Sequence, residues 1–126
     1  MSQHVKVLIV DDQLRARQSL KALLVTWSLI GETQEAANGL EAIQSIEQGQ
    51  PDLVLMDVRM PVLDGLQATR HIKTHWPQIK VIVLSMYGDY QLDALAAGAD
   101  AFMTKGESPE DVLDRIARVL YDGTRI

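Results

Sequence analysis

The run Leu53-Val54-Leu55-Met56, closed by Asp57, constrains this chain more than any other stretch. Four consecutive apolar residues are short for a helix and do not alternate, so they read as a strand buried on both faces, the kind found in parallel sheets. A bare carboxylate then stands at the strand's end, aimed at the crevice beyond the sheet. Two other runs have the same form: Val5-Lys6-Val7-Leu8-Ile9-Val10 stops at Asp11-Asp12, and Val81-Ile82-Val83-Leu84 stops at Ser85. Ala101-Phe102-Met103-Thr104 reads as a shorter strand, and Lys105 follows it.

Between these runs the period changes from two to 3.6. Leu20, Leu23, Leu24 and Trp27 share one face of a helix expected over about 13–27, with Arg15, Arg17 and Lys21 outward. Residues 32–36 are short and polar, as suits an edge strand. Asn38 caps the next helix with Glu41 at the capping-box position, Leu40, Ile43 and Ile46 face inward, and Gly49 and Pro51 close it. Asp64 starts a third helix with Leu66, Ile72 and Trp76 on its apolar side, and Pro77 ends it. A short helix over about 90–97 stops at Gly98. Ser108 as N-cap, Pro109 at N1 and Asp111 at N3 open the last helix, with Val112, Ile116, Val119 and Leu120 inward. Five strands alternating with five helices predict an α/β fold, a doubly wound parallel sheet with helices on both faces and with the polar second and short fifth strands at its edges. Ligands of such sheets bind beyond the carboxyl ends of the strands, where Asp11, Asp12, Asp57, Ser85 and Lys105 all fall.

Composition narrows the class. A chain of 126 residues suits a single domain filling positions 1–126. It has no cysteine for a disulfide framework, and Met1-Ser2-Gln3-His4 lacks the basic and apolar parts of a secretory leader, so a cytoplasmic protein is the default expectation. No apolar run approaches the roughly 18 residues that suggest a membrane span. The net charge of −5 disfavours a nucleic-acid-binding surface.

Three carboxylates gathered at one sheet end repel by about 4 kcal/mol per pair at 4 Å and an effective dielectric constant of 20, so they call for a cation. Mg²⁺ suits, since it takes one or two carboxylates together with phosphate oxygens and keeps several waters, whereas Zn²⁺ asks for cysteine or histidine ligands. His4, His71 and His75 fall elsewhere in the pattern. A carboxylate can attack a phosphoryl group once the charge on the transferring oxygens is neutralised, and the Lys105 ammonium and Ser85 hydroxyl are placed to help.

As a set, Asp11-Asp12, Asp57 with Met60-Pro61 and Asp64-Gly65, Ser85, and Lys105 after Phe102 closely resemble the receiver domain of two-component response regulators, over essentially the whole chain. The resemblance implies a flavodoxin-like sheet of strand order 2-1-3-4-5. It implies Asp57 as the phosphorylation site, Asp12 as principal Mg²⁺ ligand with Asp11 assisting, and the Arg59 main-chain carbonyl as a further ligand. Ser85 and Lys105 would contact the phosphoryl oxygens, and Phe102 would be an aromatic switch that turns inward when Ser85 moves. A sensor histidine kinase would be the donor, the domain catalysing only its own phosphorylation and dephosphorylation rather than acting as an enzyme on other molecules. The face formed by the fourth helix, fifth strand and fifth helix would be remodelled for a homodimer partner or an output domain. The stretch from Pro109-Glu110-Asp111 through Val119-Leu120-Tyr121-Asp122-Gly123 resembles the last receiver helix of regulators with a helix-turn-helix output, which implies either a receiver cut from a longer transcription regulator that meets DNA only through that missing part, the reading favoured, or a single-domain regulator.

Two positions depart from the family pattern. Gly106 follows Lys105 where proline is common, so the loop holding Lys105 is expected to take its own path. Met86 follows Ser85 where the family has a small residue, and a long thioether there is expected to hinder an attacking water and slow loss of the phosphoryl group. Taken singly, Asp11 and Asp12 serve equally as caps for the first helix, Ser85 as a turn residue, Lys105 as a solvated cation and Phe102 as core filling. Tyr87 and Tyr90 are candidates to line the same surface. Trp27 and Trp76 are expected in the core, and His71 and His75, one helical turn apart, as solvated side chains. Two alternatives stand beside the signalling switch. One is an aspartate-nucleophile phosphatase of haloacid-dehalogenase type, which wants a second aspartate two positions after the nucleophile where this chain has Arg59. The other is an interaction module that keeps the fold without the phosphorylation.

Overall fold

The computed structural model describes residues 4–122. Met1-Ser2-Gln3, read above for a leader, and Gly123, in the stretch resembling the last receiver helix, lie outside the described residues. Five parallel strands, β1 (Val5–Val10), β2 (Ile30–Ala36), β3 (Leu53–Asp57), β4 (Lys80–Ser85) and β5 (Ala101–Thr104), form one sheet in the order β2-β1-β3-β4-β5. The crossovers carry α1 (Leu14–Leu24), α2 (Gly39–Gln48), α3 (Gly65–His75) and α4 (Gln91–Ala96), and α5 (Pro109–Ala117) follows the last strand. The flavodoxin-like order expected from the resemblance is the order found.

Both faces of the sheet are buried because the strands alternate between two cores. Leu8, Val54, Met56 and Val83 pack with Ala42 and Ile46 of α2, Ile72 of α3 and Ala94 of α4. Ile9, Leu55, Ile82 and Met103 pack on the other side with Leu24 of α1 and Ile116 of α5. This two-sided burial is why the strands read as continuous apolar runs.

The helix starts follow their sequence signals. Asn38 Oδ1 accepts from the Glu41 amide at 2.9 Å, Asp64 and Gln67 form a capping box, and Ser108 Oγ accepts from the Asp111 amide. At α2 the Glu41 carboxylate reaches past the cap to the Ala37 amide. Gly98, with φ +102, stops the segment after α4 in a conformation that favours glycine.

Several expectations need correction. Helix α1 ends at Leu24, its one buried residue, and Trp27 packs half-buried from the turn that follows. Arg17 points to the sheet edge instead of to solvent, donating to the Asp11 carbonyl at 2.6 Å and to Glu35 at 2.9 Å. Leu40 is 44% exposed. Gly39 presses against the Leu63 carbonyl and turns Ala42, Ile43 and Ile46 to the sheet, which leaves Leu40 about 160° round the helix from Ala42 at 3.6 residues per turn. Strand β2 starts at Ile30, earlier than its polar stretch, with a register shift opposite Val5/Lys6. Trp76 also is half-buried, at the rim of the core beside stacked His71 and His75 rings.

At the amino end of the sheet, Lys73 Nζ donates to the Pro77 and Ile79 carbonyls and to Asp100, whose carboxylate also accepts from the Val81 amide. That hub joins α3, β4 and the start of β5, and takes all three ammonium protons of Lys73. Among the described residues no helix is long and apolar enough to cross a membrane, and no peptide bond is cis, the Lys105–Gly106 bond included.

Candidate functional site

The reactive groups gather at the opposite end, where the strands stop. Asp11 follows the last residue of β1 and extends its ladder, its amide donating to the Ala36 carbonyl at 3.1 Å. The residue is only 1% exposed and each carboxylate oxygen is engaged once: Oδ1 accepts from the Gln13 amide at 2.9 Å, and Oδ2 accepts from Lys105 Nζ at 2.7 Å. Asp11 therefore orders the start of α1 and serves the site at once. Asp12, next in the chain, is exposed.

Asp57 closes β3 and is buried. Position 65 has to be glycine for this, because an added Cβ there would fall 1.8 Å from the Asp57 carbonyl oxygen. The amide of Gly65 donates to the Val58 carbonyl at 2.8 Å and clamps the start of α3 to the acid's backbone. Ser85 closes β4 and is buried, and Lys105 is fixed beside it by a bond from its amide to the Ser85 carbonyl at 2.8 Å. The turn after Lys105 is held by Glu107, which accepts from the Thr104 amide and pairs with Arg115 at 3.2 Å.

One carboxylate oxygen from each of Asp11, Asp12 and Asp57 lies within 4.8 Å of the others, so the three can hold a metal ion. The donors are all hard oxygens, with no histidine or cysteine in the group, which matches Mg²⁺ in chemistry. Lys105 Nζ is 3.2 Å from Asp57 Oδ1, so one ammonium bridges two of the three acids. Burial raises the Asp57 pKa above its ordinary value and the Asp11 charge adds to this, while Lys105 pulls it down less strongly. Burial works to lower the Lys105 pKa, but the bond to Asp11 and the charges of Asp57 and Asp11 outweigh it and the net direction is up. A buried acid beside a like charge, with a lysine across it, favours a group that brings positive charge or takes up the carboxylate's own charge.

The acids open into a cleft of about 590 Å³ whose walls include Asp12, Asp57, Ser85 and Lys105. Met86, 69% exposed, and Tyr87 form its rim with Arg15 and Arg59. Ser85 carries both of its readings, as Oγ accepts from the Tyr87 amide at 3.1 Å while the residue lines the cleft. Phe102 does not line it. The ring is 4% exposed and packed inward in the core shared with α2, α3 and α4. The side chain of Arg59 was not anticipated: it reaches Tyr90 and Tyr87 some thirty residues along the chain, and no local pattern could announce that. Arg15, read only as an outward residue of the first helix, also stands at the mouth, because α1 begins immediately beside the acids.

Comparison with known proteins places this geometry. A model of the response regulator receiver domain matches residues 7–117. The transcriptional regulatory protein YhcZ of Bacillus subtilis (strain 168) is 40% identical over 111 residues, covering 86% of this chain and 52% of that protein. Response regulator protein VraR of Staphylococcus aureus (strain Mu3 / ATCC 700698) is 39% identical over 116 residues, covering 90% of this chain and 56% of that protein. The chain thus spans about half the length of these curated relatives. Among solved structures, a two-component response regulator of the LuxR family from Aurantimonas sp. SI85-9A1 superposes with a TM-score of 0.90 at 28% identity, covering 98% of this chain and 89% of that one.

Proposed function

The chain belongs to the response regulator receiver family, and from that premise we propose that it is a signalling switch whose phosphoacceptor is Asp57. Phosphorylation by a sensor histidine kinase and dependence on Mg²⁺ are general to the family. The observation that carries the assignment is the meeting of Asp11, Asp12, Asp57 and Lys105 at the carboxyl ends of β1, β3 and β5, with Ser85 beside them.

In this reading an Asp57 carboxylate oxygen forms the new O–P bond as the P–N bond of the donor phosphohistidine breaks, its electron pair returning to the imidazole. Lys105, already paired with that oxygen, then shifts its ammonium towards the phosphoryl oxygens while Asp11 keeps it anchored. Ser85 donates its hydroxyl to the same group. Asp12, Asp11, Asp57 and the Arg59 main-chain carbonyl would hold Mg²⁺, which when bound neutralises charge on the transferring oxygens. The phosphatase alternative would require a proton donor at position 59, and a guanidinium gives up no proton at neutral pH.

The finer parts belong to the same proposal. Positions 1–126 make one receiver unit that stays in the cytoplasm and acts on no other substrate. The half-length match to transcriptional regulators supports a DNA-binding output beyond this chain. Ser85 carries the change to the face made by α4, β5 and α5, which meets a homodimer partner or that output, while Phe102, already packed inward here, would have to turn outward in the other state to act as the switch expected of it. Incubation with Mg²⁺ and acetyl phosphate should add the mass of one phosphoryl group, and Asp57→Asn should abolish it. Persistence of the adduct in that variant overturns the site.

A further inference from the structure

Helix α3 starts against Asp57 and carries two imidazoles at its other end, about 15 Å along the axis from the acids at 1.5 Å per residue. His71 and His75 stand one helical turn apart, where residues four positions on share a face. Their rings stack with centroids 4.0 Å apart and planes 21° from parallel. His75 Nδ1 lies 2.9 Å from the His71 carbonyl oxygen. A carbonyl oxygen has no proton to give, so Nδ1 is the donor, and in the neutral ring the lone pair is on Nε2. That is the tautomer of a metal-ligating histidine, with one ring N–H held by a backbone carbonyl and the other nitrogen bare. Trp76, the C-cap of α3, lies tilted against both rings at 6.0 and 5.9 Å and limits their swing.

We infer that His71 and His75 bind a divalent transition-metal ion of the Zn²⁺ class through their ring nitrogens, at a site separate from the acid cluster. Imidazole suits such ions, whereas Mg²⁺ prefers the oxygens of Asp11, Asp12 and Asp57. Zn–N bonds of about 2.0–2.1 Å draw two ligating nitrogens closer than the present ring spacing, and a tilt of one ring towards the other supplies the difference. His71 is half-buried and serves as the fixed arm, while His75 is exposed and free to lean. The carboxyl end of a helix carries partial negative charge and favours a cation. Lys73 leaves this face clear, since it sits about 200° round the helix from His71 and its ammonium is committed to the Pro77 and Ile79 carbonyls and Asp100. Among the described residues no third histidine, cysteine or acid forms a cluster with the pair, so water completes the shell and the ion exchanges with solvent.

Zn²⁺ added to the Mg²⁺-saturated protein in mildly alkaline buffer tests the site, with long-range proton–nitrogen spectra of the imidazole rings as the readout. Before Zn²⁺ is added, Nδ1 of His75 should carry the proton and Nε2 should be bare. Zn²⁺ should then shift the ring nitrogens of His71 and His75 together, at concentrations that leave the His4 ring unmoved. His71→Gln and His75→Gln each remove one ligand and keep a side chain that suits a helix. Each should raise the half-saturating Zn²⁺ concentration by about tenfold or more, since losing even an outer-shell partner of a metal site costs that much. Zn²⁺ should also raise the melting temperature of the parent more than that of either variant. Shifts confined to one ring, or shifts that come no earlier than those of His4, overturn the site. Single variants that take up Zn²⁺ at the parent's concentration, or gain as much in melting temperature, overturn it as well.

Discussion

Asp11 holds Lys105 more closely than Asp57 does, at 2.7 Å against 3.2 Å. The lysine is therefore anchored by an acid that the proposed reaction leaves unmodified and merely leans on the acid that is modified. This ordering lets the ammonium follow Asp57 when that side chain gains a phosphoryl group.

Lys105→Met should leave two acids facing each other without a counter-ion. Breaking a buried pair from one side costs about 3–5 kcal/mol, and the 21% exposure of the Lys105 side chain reduces this to about 2–3 kcal/mol. Urea unfolding in chelator measures the loss. Adding Mg²⁺ should restore more stability to the variant than it gives the parent.

The raised pKa of Asp57 makes a signed prediction about pH. A carboxyl that binds its proton more tightly when folded favours folding below its unfolded value, and that contribution is lost as pH rises through the folded value. In chelator, Asp57→Asn should gain in melting temperature relative to the parent as pH is raised above the ordinary 3.8. Mg²⁺ at neutral pH should reverse the order by stabilising the parent selectively. A stability difference between variant and parent that does not change with pH in chelator would contradict the raised pKa.

How much of this was legible beforehand depended on where each constraint acts. Continuous apolar runs that stop at a polar residue mark strand tips, so the acids, Ser85 and Lys105 could be placed together from their neighbours alone. Leu40 and Arg17 went astray because their directions are set at a distance, by the seat of Gly39 on Leu63 and by the edge formed by Glu35 and Asp11. The Arg59 side chain had no local signal, since its partners lie on another loop.

Met86, at the open rim of the cleft, stands where water would approach a phosphoryl group on Asp57. Met86→Ala should release phosphate severalfold faster than the parent, followed as decay of the phosphorylated mass after the donor is removed. Release at the parent's rate counts against a shielding role.

Val62 adopts φ +72, a region that costs a β-branched residue about 1–3 kcal/mol, and its side chain is 76% exposed and contributes little packing. After the entropy that glycine loses on folding, Val62→Gly should still stabilise by about 0.5–1 kcal/mol. The urea midpoint should rise with an unchanged slope.

The contact between Gly65 and the Asp57 carbonyl sets a fixed length in this molecule. No methyl fits between the acceptor strand and the helix that follows it, so the two move as one piece, and whatever reaches α3 is felt at the acid without slack. Diversification of such a domain is thereby pushed to its rim, where Arg15, Met86 and Tyr87 can be exchanged without disturbing that joint.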